Sequence, residues 1–359
     1  MSSERPGAGP ASLATGLACP VPFTDTDRVL LGHGSGGTMT ADLIARCFLP
    51  AFRNEYLARL DDQAVLPAAG GRLAFTTDAY VVTPLFFPGG DIGTLAVNGT
   101  VNDLAMAGAR PLYLSAAFIL EEGFPLGDLH RLVASARAAA ERAGVLVVTG
   151  DTKVVERGKA DGCFVVTSGL GVVEHAAAIS SDRARPGDLV VLSGPIAAHG
   201  AAIMAARADL ELDTPVVSDT APLHRLVAAM LATGADLRCL RDPTRGGLAT
   251  ALNELADRSG VGIVLDERAI PVEEPVRGLL ELLGLDPLYV ANEGRLVAVV
   301  AARDADRLVA RMREHPEGRQ ACIVGEVVAD EDRLVVLETA VGGRRIVDRL
   351  AGDQLPRIC

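Results

Sequence analysis

The chain contains no tryptophan in 359 residues, and aromatic residues make up only 4% of it. The core must therefore be filled by Val, Leu, Ala and Ile, which a hydrophobic content of 49% supplies. Basic residues are also short, with 34 Lys and Arg against 46 Asp and Glu and a formal net charge of −12. That balance argues against binding nucleic acid, which requires clustered positive charge. It leaves room for a nucleotide, whose charge can be neutralised by a metal held on carboxylates. None of the six cysteines forms a CxxC pair. Neither a zinc ribbon nor a disulfide framework is indicated, and a reducing, cytoplasmic setting is expected. Long hydrophobic runs are missing as well. The longest uncharged stretch, Leu189 to Ala206, is broken by Ser193, Gly194, Pro195 and Gly200, which reads as strand–turn–helix and not as a membrane span. The first twenty residues carry prolines and glycines without an apolar core, so no signal peptide is expected.

What is present is a chain long enough for two domains with cores of their own. Short β-like runs alternate with longer amphipathic stretches. The pattern predicts strands at 73–77, 112–119, 145–150 and 163–171, with helices at 93–106 and 126–143. A second set follows, with strands at 189–194, 296–302 and 322–328 and helices at 201–206, 221–231, 248–259 and 305–313. The polar stretch between the sets ends in Pro186-Gly187. The expected organisation is a disordered tail over 1–28, an N-terminal domain over 29–173, a linker over 174–188, a C-terminal α+β domain over 189–345 and a flexible tail over 346–359.

Several short segments carry chemistry. GHGSGG, Gly32 to Gly37, precedes a helical pattern. Its glycines let backbone N–H groups crowd around a phosphate, although no Walker-type lysine follows. Acidic residues recur at loop-like positions in DDQA (61–64), TTDAY (76–80), VNDLAMAGA (101–109), GDTKVV (150–155) and RDPTRGG (241–247). Each aspartate alone reads as a turn former. Several hard carboxylates meeting at one point suit Mg²⁺ and the phosphates it bridges. Lys153 follows Asp151 by two residues, the side-chain period of a strand, and could reach phosphate oxygens. Glu293, in ANEG before an apolar strand, is a candidate general base. The sequence closes on QLPRIC with Cys359. On residue type alone that thiol is a chance residue, a redox handle, a metal ligand or a carrier of a covalent group.

Taken together, GHGSGG, FFPGGDIGTLAVNGTVNDLAMAGA (86–109), GDTKVV, RDPTRGGLATALNELA (241–256), ANEG and the terminal PRIC resemble the HypE family of hydrogenase maturation proteins, the carbamoyl dehydratases. These sit in the superfamily of aminoimidazole ribonucleotide synthetase and selenophosphate synthetase. The resemblance runs from about Leu31 to the last residue. Gln63 departs from it, because a small residue is expected there, and that puts Asp62 in doubt as a metal ligand. No Cys lies between Leu31 and Leu43, unlike the reactive residue typical of selenophosphate synthetases.

The resemblance implies a two-domain α+β fold of the aminoimidazole-ribonucleotide-synthetase type. It implies an N-terminal domain that forms a β-barrel between the subunits of a homodimer. It implies ATP and Mg²⁺ in a cleft between the domains, contacted by Gly34, Ser35, Gly36, Gly37, Asn102, Asp103, Thr152, Thr244 and Asn292, with Asp62, Asp78, Asp151 and Asp242 as metal ligands. Cys359 would carry a carbamoyl group as a thiocarbamate, which ATP-driven dehydration turns into a thiocyanate. Lys153 and Glu293 would assist proton removal in the chain's own ATP cleft. The implied partners are a HypF-like carbamoyltransferase as donor and a HypC–HypD-like iron complex as cyanide acceptor. Two alternatives stay open: a sister enzyme that phosphorylates a small diffusible substrate, and a non-catalytic carrier that docks maturation partners.

Overall fold

The computed structural model describes residues 27–34, 38–59, 66, 70–208, 215–349 and 357–359. Ser35, Gly36, Gly37 and Asp62 lie outside the described residues. The body begins with Arg28 bridged to Pro125 and Val29 buried. A helical segment follows, α1 (Thr38–Leu43) and α2 (Leu49–Phe52) joined by one π-helical turn.

The N-terminal domain is a four-stranded sheet backed by two helices. Its strands are β1 (Arg72–Tyr80), β4 (Arg110–Glu121), β5 (Leu146–Val155) and β6 (Cys163–Val173), in the order β1-β6-β4-β5. A two-residue hairpin, β2 (Phe86–Phe87) and β3 (Gly90–Asp91), leads into α3 (Ile92–Met106). Asp91 caps α3 by accepting from the Thr94 amide at 2.9 Å. α3 is buried almost all round, because the sheet covers one side of it and α4 (Leu126–Ala143) and the C-terminal domain cover the rest. Gly93 has no Cβ because one would stand 2.3 Å from the Leu132 carbonyl oxygen of α4. α4 is amphipathic and stops at Gly144, whose φ of +70° suits glycine.

The C-terminal domain is a seven-stranded sheet with helices on both faces. Its strands are β7 (Asp188–Leu192), β8 (Leu237–Arg241), β9 (Gly262–Asp266), β10 (Val297–Ala301), β11 (Cys322–Val328), β12 (Val335–Glu338) and β13 (Arg344–Ile346). They lie in the order β13-β12-β9-β11-β7-β10-β8 and pair antiparallel except β12 with β9. β10 is buried at every position, because both faces are covered, and it reads as a continuous apolar run instead of an alternation. Val191, Ala298 and Val300 pack with residues of α6 (His224–Leu231) and α9 (Ala302–Arg313). Val190, Leu192, Val297 and Val299 join the larger core with α5 (Ala198–Arg207), α7 (Gly247–Ser259) and α8 (Glu274–Leu283).

Two expectations differ from this arrangement. GDTKVV is not a loop after a strand, because β5 runs through it to Val155. Residues 347–349 belong to the C-terminal domain: Val347 is buried, its amide donates to Val335, and Arg349 pairs with Asp257. Among the described residues of the single chain, no closed barrel is present. The sheet of the N-terminal domain ends on β1 and β5. Among the described residues, no helix is long and apolar enough to cross a membrane.

Candidate active site

The two domains meet along α3. Asn102 is buried there, and its Nδ2 donates to the carbonyl oxygens of Ala221 (3.0 Å) and Glu293 (3.1 Å). Its Oδ1 accepts from the Leu223 amide at 2.8 Å. Asn292 is used in the same way. Its Nδ2 donates to the Pro243 and Val290 carbonyls (2.8 and 3.1 Å), and its Oδ1 accepts from Ala197 (2.7 Å). Both amides hold loops together with their N–H groups, so neither has an N–H left to offer the nucleotide that the resemblance had them contact. Asn292 ties the RDPTRGG loop to ANEG, and Asn102 ties ANEG to the N-terminal domain.

Those ties bring four carboxylates into one neighbourhood. Asp78 lies on the α3-facing side of β1, Asp103 on α3, Asp242 just after β8, and Glu293 just before β10. Asp103 accepts from Thr76 Oγ1 at 2.7 Å. Burial raises its pKa, and the Asp78 charge adds to the effect. Burial and the neighbouring Asp103 push Asp242 up to about 7. Burial also holds Glu293 well above the ordinary glutamate range, with Asp242, Asp219 and Asp78 adding to it. Beside this cluster a cleft of about 620 Å³ opens, lined by Thr76, Asp103, Arg241 and Asp242. Among the described residues, no three His, Cys, Asp or Glu side chains stand close enough to hold one metal ion. The chemistry nevertheless fits a hard divalent cation, because neighbouring carboxylates help raise the pKa of Asp103, Asp242 and Glu293 and a cation would relieve that repulsion.

Cys359 enters this same neighbourhood. Its carbonyl accepts from Val81 and that of Arg357 from Thr83, each at 3.2 Å, so the terminus lies beside the chain that leaves β1. Ile358 is buried, and Arg357 is bonded to Thr83 and paired with Asp161. The Cys359 thiol lies beside the Glu293 carboxyl. Burial raises its pKa strongly, Glu293 adds to this, and Arg245 opposes it. The backbone behind Glu293 is fixed. Its amide donates to Asp219 Oδ1 at 3.0 Å, and a Cβ on Gly294 would stand 1.8 Å from the Asp219 carbonyl oxygen.

The remaining expected residues are elsewhere. Asp151 and Lys153 pair with each other at 3.1 Å on the outer, exposed face of β5, so within one chain Lys153 is not brought to Cys359. The reason is the pleat, since Asp151 registers with Ala117, Val166 and Ala79, one residue out of phase with Asp78. Thr152 faces the other way, into an apolar cavity of about 320 Å³ that Phe48, Phe52, Tyr56 and Phe118 also line. Thr244 lies in the turn that closes Asp242, its amide bonded to the Asp242 carbonyl at 3.0 Å. Gly34 ends a short 3₁₀ turn in which His33 Nδ1 accepts from Leu30. Asp219, Arg245, His199 and Ser218 were not anticipated. A signal existed for His199, because a histidine inside an apolar run must find hydrogen-bond partners.

The two α+β domains, in this order, are those of AIR synthase related proteins. The family model of their N-terminal domain matches residues 60–173, and that of their C-terminal domain matches residues 185–337. Within that class, the carbamoyl dehydratase HypE of Azotobacter vinelandii is 60% identical over 327 residues, 91% of this chain and 96% of that protein. A crystal structure of hydrogenase maturation protein HypE in complex with ATP superposes with a TM-score of 0.89 at 49% identity, over 92% of this chain and 99% of that one. A crystal structure of a HypE–HypF complex matches with a TM-score of 0.76 at 48% identity, over 88% and 100% of the two chains. The chain belongs to the carbamoyl dehydratase HypE family of the AIR synthase superfamily.

Proposed function

We propose that this protein is an ATP-dependent carbamoyl dehydratase of hydrogenase maturation, with Cys359 as the carrier of the group it converts. The observation that carries the reading is the docked terminus, which sets the Cys359 thiol against Glu293 beside Asp78 and Asp242. A thiocarbamate on that sulfur has a carbonyl oxygen that leaves poorly. Transfer of the γ-phosphoryl group of ATP to this oxygen makes phosphate the leaving group. Loss of the nitrogen's two protons as phosphate departs leaves a C≡N bond on sulfur.

Glu293 is the base. A buried carboxylate with a raised pKa takes a proton more readily than a surface glutamate does. Asp78 and Asp242 would offer carboxylates to Mg²⁺, whose remaining ligands the nucleotide phosphates and water would supply, and the ion would neutralise phosphate charge during transfer. Arg245 opposes the acidic field at the sulfur. The cytoplasm, a HypF-like carbamoyl donor and a HypC–HypD-like iron acceptor complete the reading, and the HypE–HypF complex among the similar structures supports the first of these partners. Homodimerisation through the outer face of the N-terminal sheet would place Asp151 and Lys153 toward the partner subunit's site. Supplying a carbamoyl donor system and then ATP, and weighing the terminal peptide, tests the function. The peptide should gain a carbamoyl group and then lose one water. A carbamoylated peptide that ATP leaves unchanged would refute the reading.

A further inference from the structure

Among the contacts that hold the docked terminus is one from a buried histidine of the C-terminal domain. His199 lies on α5 in the apolar stretch GPIAAHGAAIM and is fully buried. Its Nε2 stands 2.8 Å from the Ile358 carbonyl oxygen, and its Nδ1 stands 2.8 Å from Ser218 Oγ. A carbonyl oxygen only accepts, so Nε2 carries the proton and Nδ1 accepts from the Ser218 hydroxyl. The Ser218 oxygen accepts in turn from the Thr220 amide at 3.2 Å. Phe87 of the N-terminal hairpin stands edge-on to the imidazole, with centroids 5.5 Å apart at 87°. The Ser218 amide donates to Pro88 of the same hairpin at 2.9 Å. Both domains therefore hold the ring in place.

The bonded atom matters. The Ile358 carbonyl belongs to the peptide unit whose other end is the Cys359 nitrogen, and that unit is planar. Fixing its oxygen fixes the plane from which the Cys359 Cα projects. With the Cys359 carbonyl also held by Val81 at 3.2 Å, only the side-chain torsion is left to aim the sulfur.

We propose that His199 is a positioning residue for the dehydration, which holds the Ile358 carbonyl through Nε2–H and thereby sets the sulfur of Cys359 against Glu293. The proposal rests on the carrier reading of Cys359. Ser218 fixes the tautomer, and the buried Ile358 side chain supplies the apolar anchor.

The test uses the full-length protein with Mg·ATP and compares wild type with His199→Ala, His199→Gln and Ser218→Ala. One measurement is the alkylation rate of Cys359 by iodoacetamide, read as the mass of the terminal peptide. The other is the single-turnover loss of water from preloaded carbamoyl-Cys359. His199→Ala should alkylate at least tenfold faster and dehydrate at least tenfold slower, with carbamoyl loading and Mg·ATP affinity unchanged. His199→Gln retains an amide N–H toward the same carbonyl and should recover part of both. Ser218→Ala, which barely disturbs the core volume, should fall between wild type and His199→Ala. Wild-type alkylation and dehydration rates in His199→Ala would overturn the proposal. So would a Gln variant no better than Ala with ATP affinity falling alongside, since that is the mark of a general core defect. A wild-type protein that never forms thiocyanate, but whose Cys359 protection still depends on His199, would refute the dehydratase function and leave the positioning intact.

Discussion

Asp78 and Asp151 point to opposite faces of the same four-stranded sheet. Asp78 registers with Thr167, Ala116 and Gly150 across the strands, and Asp151 registers with the neighbouring row. Two carboxylates separated in this way do not serve one ion within one chain. If Lys153 and Asp151 act in the partner's site, activity should be recoverable by mixing defective chains. Lys153→Ala and Glu293→Gln should each be inactive alone. Their co-expressed heterodimer should regain about a quarter to a half of wild-type dehydration; no recovery would rule out action across subunits, and a fully active Lys153→Ala would place Lys153 outside the reaction.

The outer face of the sheet carries Phe75, Leu170, Tyr113 and Leu146 in one row, with Phe75 72% exposed. An apolar row between two open sheet edges is an aggregation liability unless it is covered. If the proposed homodimer forms through this face, Phe75→Glu should shift sedimentation from dimer to monomer at micromolar concentration and lower dehydration in parallel. An unchanged dimer would remove this face from the interface.

Asp242 ties stability to pH. Its folded pKa of about 7 lies above the ordinary aspartate value of 3.8. The folded state therefore holds its proton more tightly, and this contribution to stability is full below about pH 4 and is lost as pH rises through about 7. In the absence of Mg·ATP, Asp242→Asn should raise the melting temperature by a few degrees at pH 8 and change it little at pH 4. It should also weaken Mg·ATP binding. Equal melting shifts at both pH values would contradict the assignment.

Glu293→Gln keeps the size of the side chain and removes the proposed base. Carbamoyl loading of Cys359 should be unaffected, while dehydration should slow by roughly a hundredfold or more. Mass measurement of the terminal peptide separates the two steps, and dehydration at the wild-type rate would assign the base elsewhere.

Asn102→Ala probes the junction of the domains. It leaves the Leu223 amide and the Ala221 and Glu293 carbonyls without their partner, at a cost of about 2 kcal/mol or more. Denaturant unfolding should reveal that loss. A change within about 0.5 kcal/mol would mean that the junction does not depend on this side chain.

Much of the fold was legible. The periodicity of 126–143 and the apolar run at 322–328 gave α4 and β11 with the observed ends. β8, β9, β12 and β13, each of five residues or fewer, were missed, as was α8, and β13 is a half-exposed edge strand with basic residues. The acids of the cleft were legible as residue types at loop positions. Their grouping was not, because it depends on strand phase. Asp151 follows an apolar run just as Asp78 does, yet continuation of β5 turns it to the other face. Asn102 and Asn292 sit inside recognisable motifs, and nothing in a motif distinguishes an amide that binds a ligand from one that holds the loop beside it. His199 depends on contacts 19 and 159 residues away, which no local pattern contains.

The close approach of Gly294 to the Asp219 carbonyl has a consequence for redesign. A glutamate whose backbone is pinned from behind cannot be re-aimed by changing the residue next to it. An engineer who wished this cleft to dehydrate some other amide would have to alter what is delivered to Glu293, by varying the sequence and length of the docked segment, because the base itself offers almost no adjustable geometry.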